Sequence, residues 1–215
     1  MKKIQIAFIS ITLLFHFSLF SQENFEGILK FKIKIQDKTG KMSDEQSKMF
    51  MGTKQIYYLK GKKYKSELDG ILKIINYHEG KDTLFTKING ADNLLYTITS
   101  KEKEKEKVIS YVFKETDSIV LGYQCELLEV KTNKGYHQYY FNKDFKSDKE
   151  NYKNHKLGLW SFFTNKTGGA LSLISISDTE SSRNYLKLTA IERKSLNDTI
   201  FIKPKNLKLV EIPEN

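Results

Sequence analysis

The chain has 215 residues and a formal net charge of +10, of which Lys2 and Lys3 supply two, and 39% of its residues are hydrophobic. Arg183 and Arg193 are the only arginines, so the basic excess is lysine, a hydrated point charge suited to a solvated surface or a diffuse attraction to anionic membranes. The planar, bidentate group that nucleic-acid readers use is nearly absent. Cys125 is the only cysteine and excludes an internal disulfide.

Residues 1–22 carry Lys2 and Lys3, an apolar run from Ile4 to Phe20, and then Ser21-Gln22. This order is that of a secretory signal peptide, and the run is short for a span that needs about 20 apolar residues. Cleavage near Ser21 leaves residues 23–215 as one β-rich domain with no stable transmembrane anchor, exported and placed most naturally in the periplasm. No linker is visible, because Pro204 and Pro213 are the only prolines and the glycines and serines are scattered.

The first mature segment alternates Phe25, Gly27, Leu29, Phe31, Ile33 and Ile35 with mainly polar residues, the pattern of a strand with one buried face. Ser43, followed by Gln46, forms a capping-box signature for a helix from about Asp44 to Met51, with Met42, Met49 and Phe50 as its apolar side. From Gln55 the chain becomes an antiparallel meander over 55–60, 63–68, 71–78, 82–88 and 94–100, punctuated by Gly61-Lys62, Asp69-Gly70, Glu79-Gly80 and Asn89-Gly90. The charge run Lys101 to Lys107 reads as a solvated hairpin tip.

The stretch from Ile119 to Phe141 holds a central hairpin around Asn133-Lys134-Gly135. Ile119, Leu121, Tyr123, Cys125 and Leu127 recur at the strand period and are expected on one inward face, with Cys125 a buried, inert thiol. Gly122 is expected to permit a bulge or a close backbone approach, Tyr123 to place its ring in the core, and Cys125 to fill a small space. Residues 146–164 lack alternation and are expected to form a helix or structured excursion packed over the sheet. Strands follow over 170–177, over 185–193 with Leu186, Leu188 and Ala190 on one face, and over 199–203. About ten strands and two helical segments imply an α+β fold built on a strongly curved antiparallel sheet.

Several short motifs occur in a telling order: Phe25-Glu26-Gly27-Ile28-Leu29, the run from Ile119 to Cys125, Gln138-Tyr139-Tyr140-Phe141, Asn154-His155-Lys156, Gly169-Ala170-Leu171, and Phe201-Ile202-Lys203-Pro204. Together they resemble the exported GLPGLI-like and related uncharacterised envelope proteins of Gram-negative bacteria, which in turn resemble the outer-membrane lipoprotein carrier. Where that family often has Gly-Leu-Pro or a Pro-Leu pair, this chain has Gly169-Ala170-Leu171. The resemblance implies an open, incomplete β-barrel around an apolar cavity, with helices as a lid over its concave side.

None of the common hydrolase, metalloprotease, phosphate-loop or calcium-loop signatures occurs. His78, His137 and His155 lie far apart in sequence without metal-ligand spacing. The functional expectation is a non-enzymatic binding protein without metal or cofactor, sheltering a lipid, acyl chain or lipoprotein tail. Alternation assigns the cavity lining to Phe31, Ile33, Leu72, Ile74, Tyr96, Tyr123, Tyr139 and Leu188. The alternative is an envelope interaction or scaffold protein with a closed core that meets a protein partner through exposed aromatics such as Tyr57, Tyr58, Tyr136 and Tyr140.

Overall fold

A computed structural model describes residues 24–100 and 106–212. The signal-peptide expectation, and all but Glu106 and Lys107 of the charge run, lie outside the described residues. Two meanders make the fold. The first comprises β1 (Gly27–Asp37), β2 (Lys54–Lys60), β3 (Lys63–Leu68), β4 (Ile75–Glu79), β5 (Thr83–Lys87) and β6 (Asn93–Ile98). The second comprises β7 (Val108–Val120), β8 (Tyr123–Thr132), β9 (Gly135–Lys146), β10 (Ala170–Thr179) and β11 (Ser182–Arg193). Antiparallel pairing of β1 with β11 joins them, and β12 (Lys208–Glu211) adds in parallel to β6. The result is one 12-stranded sheet in the order β12-β6-β5-β4-β3-β2-β1-β11-β10-β9-β8-β7, with β12 and β7 as its open edges.

The curved sheet buries the face that the first strand announced: Leu29, Phe31 and Ile33 are buried while Lys30, Lys32 and Lys34 are exposed. They share a core with Leu59, Tyr64, Phe145, Leu173 and Leu188. The helix α1 (Asp44–Met51) has the capping box, with Ser43 and Gln46 satisfying each other's backbone N–H groups. Its apolar side is not where the sequence put it, since Met42 and Met49 are exposed and Ser47 is the buried residue of the helix. The helix α2 (Trp160–Thr167), preceded by 3-10 turns at Lys149–Tyr152 and Leu157–Leu159, crosses the buried face. There Phe163 packs on Tyr139 and Phe141, and Trp160 packs on Tyr57 and Tyr64.

The opposite face has a smaller core of Ile28, Leu196 and Phe201. The chain after β11 supplies it, through a 3-10 turn at Asp198–Phe201 in place of the expected strand over 199–203. On the same face Lys65 lies over the rings of Tyr58 and Tyr77 and pairs with Glu67 at 2.5 Å. Its half-buried amine therefore keeps both aromatic and ionic partners.

Alternation fails where a turn or bulge interrupts it. β4 begins at Ile75, because residues 71–74 form a turn in which Lys73 adopts φ 38°, and this places Leu72 and Ile74 outside the strand. Ile119 and Leu121 do not join Cys125 in the core. Leu121 and Gly122 are the two central residues of the tight turn between β7 and β8, with φ 51° and 85°, leaving Ile119 64% and Leu121 48% exposed. Tyr123 and Cys125 join the main core, with Cys125 2% exposed and burial pushing its thiol pKa up, but Leu127 pairs with Tyr140, so that it is Leu128, the partner of Tyr139, that faces α2. A register shift opposite Lys30 and Phe31 displaces Thr189, so that Ile191, not Ala190, continues the inward face of Leu186 and Leu188.

Gly122 is therefore needed for its conformation rather than for closeness: a side chain there would meet open space. Gly122→Val is expected to cost about 1–2 kcal/mol from the left-handed φ alone. An unchanged urea midpoint would mean that the turn accepts a β-branched residue freely.

Candidate functional site

Between the buried face of the sheet and α2 lies a pocket of about 440 Å³, within the size range of small-molecule sites. Leu29 and Phe31 of β1, Leu171 of β10, Leu186 of β11, and Trp160 and Phe163 of α2 give it an apolar body. Among the expected lining residues, Phe31 and Tyr139 do line it. Ile33 and Leu188 face the same side but are consumed by close packing, at 4% and 1% exposure. Tyr123 packs at a tilt on Phe145, ring centroids 5.6 Å apart, and does not line the pocket. Leu72 and Ile74 lie in the turn before β4, and Tyr96, paired across from Phe85, is on the opposite face and reaches Glu211. Of the aromatics expected at an exposed interface, Tyr136 is 60% exposed, whereas Tyr57 lines the pocket, Tyr140 packs on the core, and Tyr58 holds Lys65.

One end of the pocket is a closed polar and aromatic cluster. Tyr64 of β3 stacks on His78 of β4, ring centroids 4.9 Å apart, because the two are cross-strand partners. Its hydroxyl lies 2.7 Å from Nε2 of His155, and Nδ1 of His78 donates to the Lys62 carbonyl at 2.9 Å. Trp160 stacks on Tyr152 at 4.8 Å and completes the cluster. Beside it Asn76 donates to Ser66 and accepts from Thr86, so the polar groups of this ladder satisfy one another.

Burial sets the protonation of this end. It pushes the Tyr64 and Tyr152 phenols up and lowers His78. It takes His155 from its ordinary 6.5 down to about 4, with the neighbouring His78 a lesser cause. In the fold His155 is neutral and accepts the Tyr64 hydroxyl. Below its ordinary value the unfolded chain binds more protons than the folded one, so stability is complete above about pH 6.5, falls toward about pH 4 and levels off below. The loss assigned to His155 is on the order of 3 kcal/mol. Urea titrations across that window should show it, and His155→Gln should flatten the slope. A wild-type midpoint indifferent to pH there would contradict the buried neutral imidazole.

The other end is built by register. His137 of β9 faces Ser177 of β10, which faces Asn184 of β11, placing these side chains in one row about 10 Å across. Glu106, just before β7, closes the row: its Oε1 accepts from His137 Nε2 at 2.6 Å and from the Thr132 hydroxyl at 2.7 Å. Glu106 belongs to a charge run with the pattern of a solvated hairpin tip, but it lines the pocket. The only sequence signal for this end is the alternation of β9 and β10, which puts His137 in phase with Tyr139 and Ser177 in phase with Ser175.

Among the described residues no group of three or more His, Cys, Asp or Glu is placed to hold a metal ion. Nor is any helix among them long and apolar enough to cross a membrane.

No family model and no curated protein matches the chain. Solved structures similar to it include PNGF-II in its P21 crystal form, with 13% identity and a TM-score of 0.43, covering 86% of this chain and 32% of that one. PNGF-II in its C2 crystal form has 15% identity and a TM-score of 0.42, covering 85% of this chain and 31% of that one. The chain spans about a third of the length of these structures.

Proposed function

We propose that this is an exported binding protein that shelters an apolar molecule, a lipid, acyl chain or lipoprotein tail, between the curved sheet and α2. The observation that carries this reading is the pocket of about 440 Å³, apolar through its middle and polar at its ends. Burying an alkyl chain there gains about 0.8 kcal/mol per CH₂. Periplasmic placement rests on the N-terminal pattern of residues 1–22 and on the resemblance to carrier-like envelope proteins. The test is organic extraction of purified protein, followed by titration of the stripped protein with a neutral fluorescent acyl probe. Stoichiometric lipid in the extract or saturable one-to-one uptake supports the reading; neither result would end it.

A second reading, an envelope interaction protein, draws on β7. This 13-residue edge strand exposes Ile109, Tyr111, Val112 and Phe113, side chains of both its faces, whereas sheet edges are ordinarily short, charged or covered. Failure of both lipid tests would favour it.

A further inference from the structure

Resting on the reading of the pocket as a lipid or acyl-chain site, we infer that the ligand's polar head is a hydrogen-bond donor, a hydroxyl or an amine rather than a carboxylate or phosphate, and that it sits at the end formed by Glu106, His137, Ser177 and Asn184. The two ends of the pocket are not equivalent. At the Tyr64 end the phenol is bonded to His155, and Ser66, Asn76 and Thr86 are bonded to one another; Nδ1 of His155 is buried without a partner, but with Nε2 accepting from Tyr64 it is itself a donor, so this end has no spare acceptor for a donor head. At the Glu106 end acceptors are left over. The side-chain oxygen of Asn184 is buried without a hydrogen-bond partner, its amide nitrogen donating to Ser182 at 3.5 Å. Both bonds to Glu106 fall on Oε1, and among the described residues no bond falls on Oε2.

A buried acceptor without a donor is costly, and a ligand that supplies the donor recovers that cost on binding. An anionic head faces the opposite balance. Among the described residues that line the pocket there is neither lysine nor arginine, and Glu106 is their only acid. A carboxylate would thus lose water against a carboxylate, with no cation among the described lining residues to offset it. This preference runs against the protein's surface, whose net positive charge, +10 for the whole chain of which Lys2 and Lys3 supply two, attracts anions in general. Selectivity against an anion therefore has to come from the pocket and not from the field of the whole chain.

The experiment displaces the neutral fluorescent probe from the wild-type protein with ligands of one chain length and three heads: decylamine, 1-decanol and decanoate, at physiological ionic strength. The expected result is that decylamine and decanol displace at concentrations at least tenfold below decanoate. Glu106→Gln should narrow the gap between decylamine and decanoate about tenfold, while decanol changes least. Because Glu106 also holds Thr132 and His137, Asn184→Leu serves as a second variant, expected to weaken decanol and decylamine and to leave decanoate nearly unchanged. Decanoate displacing as well as the others in the wild type would overturn the head-group inference while leaving the pocket reading intact. A donor preference that survives in both variants would overturn its assignment to this corner. No binding of the probe or of any decyl compound would overturn the pocket reading itself, and this inference with it.

Discussion

Trp160→Ala is expected to lower stability by about 3 kcal/mol, in the range for truncating a large aromatic in a packed site, and to weaken uptake of an apolar probe at the same time. The indole does two jobs. It stacks on Tyr152 and lies against Tyr64 and His155, with ring centroids 5.0 and 5.1 Å away, and so holds the start of α2 onto the first meander. It also lines the pocket, so its removal opens the wall that closes over a ligand. Urea denaturation and probe titration on the same preparation check both effects. Full stability after truncation would mean that α2 is held by Phe163 alone, and unchanged probe affinity would mean that the ligand does not touch this wall.

The second large effect is expected at Gly169→Ala, a loss upward of about 3 kcal/mol, because backbone strain and overpacking add there. Gly169 has φ 92°, and a Cβ at this position would collide with the carbonyl oxygen of Ser147. The collision cannot relax locally. The Gly169 carbonyl accepts from the Ser147 N–H at 2.9 Å and its N–H donates to the Thr164 carbonyl at 2.7 Å, so the residue ties the end of α2 to the end of β9 just before Ala170 enters the pocket wall. A thermal midpoint within a degree or so of wild type would show that this junction yields.

Much of the fold was legible because its elements follow single periods. The alternation of β1, the capping box of α1 and the glycine turns of the first meander each depend on local chemistry that survives in the tertiary structure. Reading failed where an apolar residue occupied a position that breaks the period. Leu121 continues the alternation of Ile119 and Tyr123 in sequence but sits in a turn, since the Gly122 beside it allows the left-handed pair of a tight hairpin. Thr189 is an inserted residue in β11 that no composition signal marks, and its bulge sends Ala190 to the other face. β12 was invisible, being a short edge strand that depends on β6 for its pairing.

The candidate site was legible only in part, for a related reason. Face could be read from alternation, which placed Phe31, Ile33, Tyr139 and Leu188 on the inward side, but whether an inward residue packs or lines a void depends on what crosses above it. Phe31 and Tyr139 border the space left beneath α2, although Phe163 packs on the Tyr139 ring, whereas Ile33 and Leu188 meet close neighbours. Glu106 escaped because a carboxylate in an alternating charge run carries no mark of burial. Its role comes from His137, thirty-one positions later, brought beside it by β7 and β8.

The central claim is that the space under α2 is a binding cavity, and probe titration of Leu186→Trp beside Ile33→Trp tests it most directly. Leu186 lines the pocket, whereas Ile33, its cross-strand partner, is buried in the packed core. If the cavity takes a ligand, an indole at position 186 enters vacant space. Stability should then stay within about 1 kcal/mol of wild type while probe affinity falls at least about tenfold. The same indole at position 33 should overpack the core at a cost of about 1–3 kcal/mol and leave probe binding in place. Undiminished uptake by a stable Leu186→Trp protein, or no uptake by the wild type, would contradict the account.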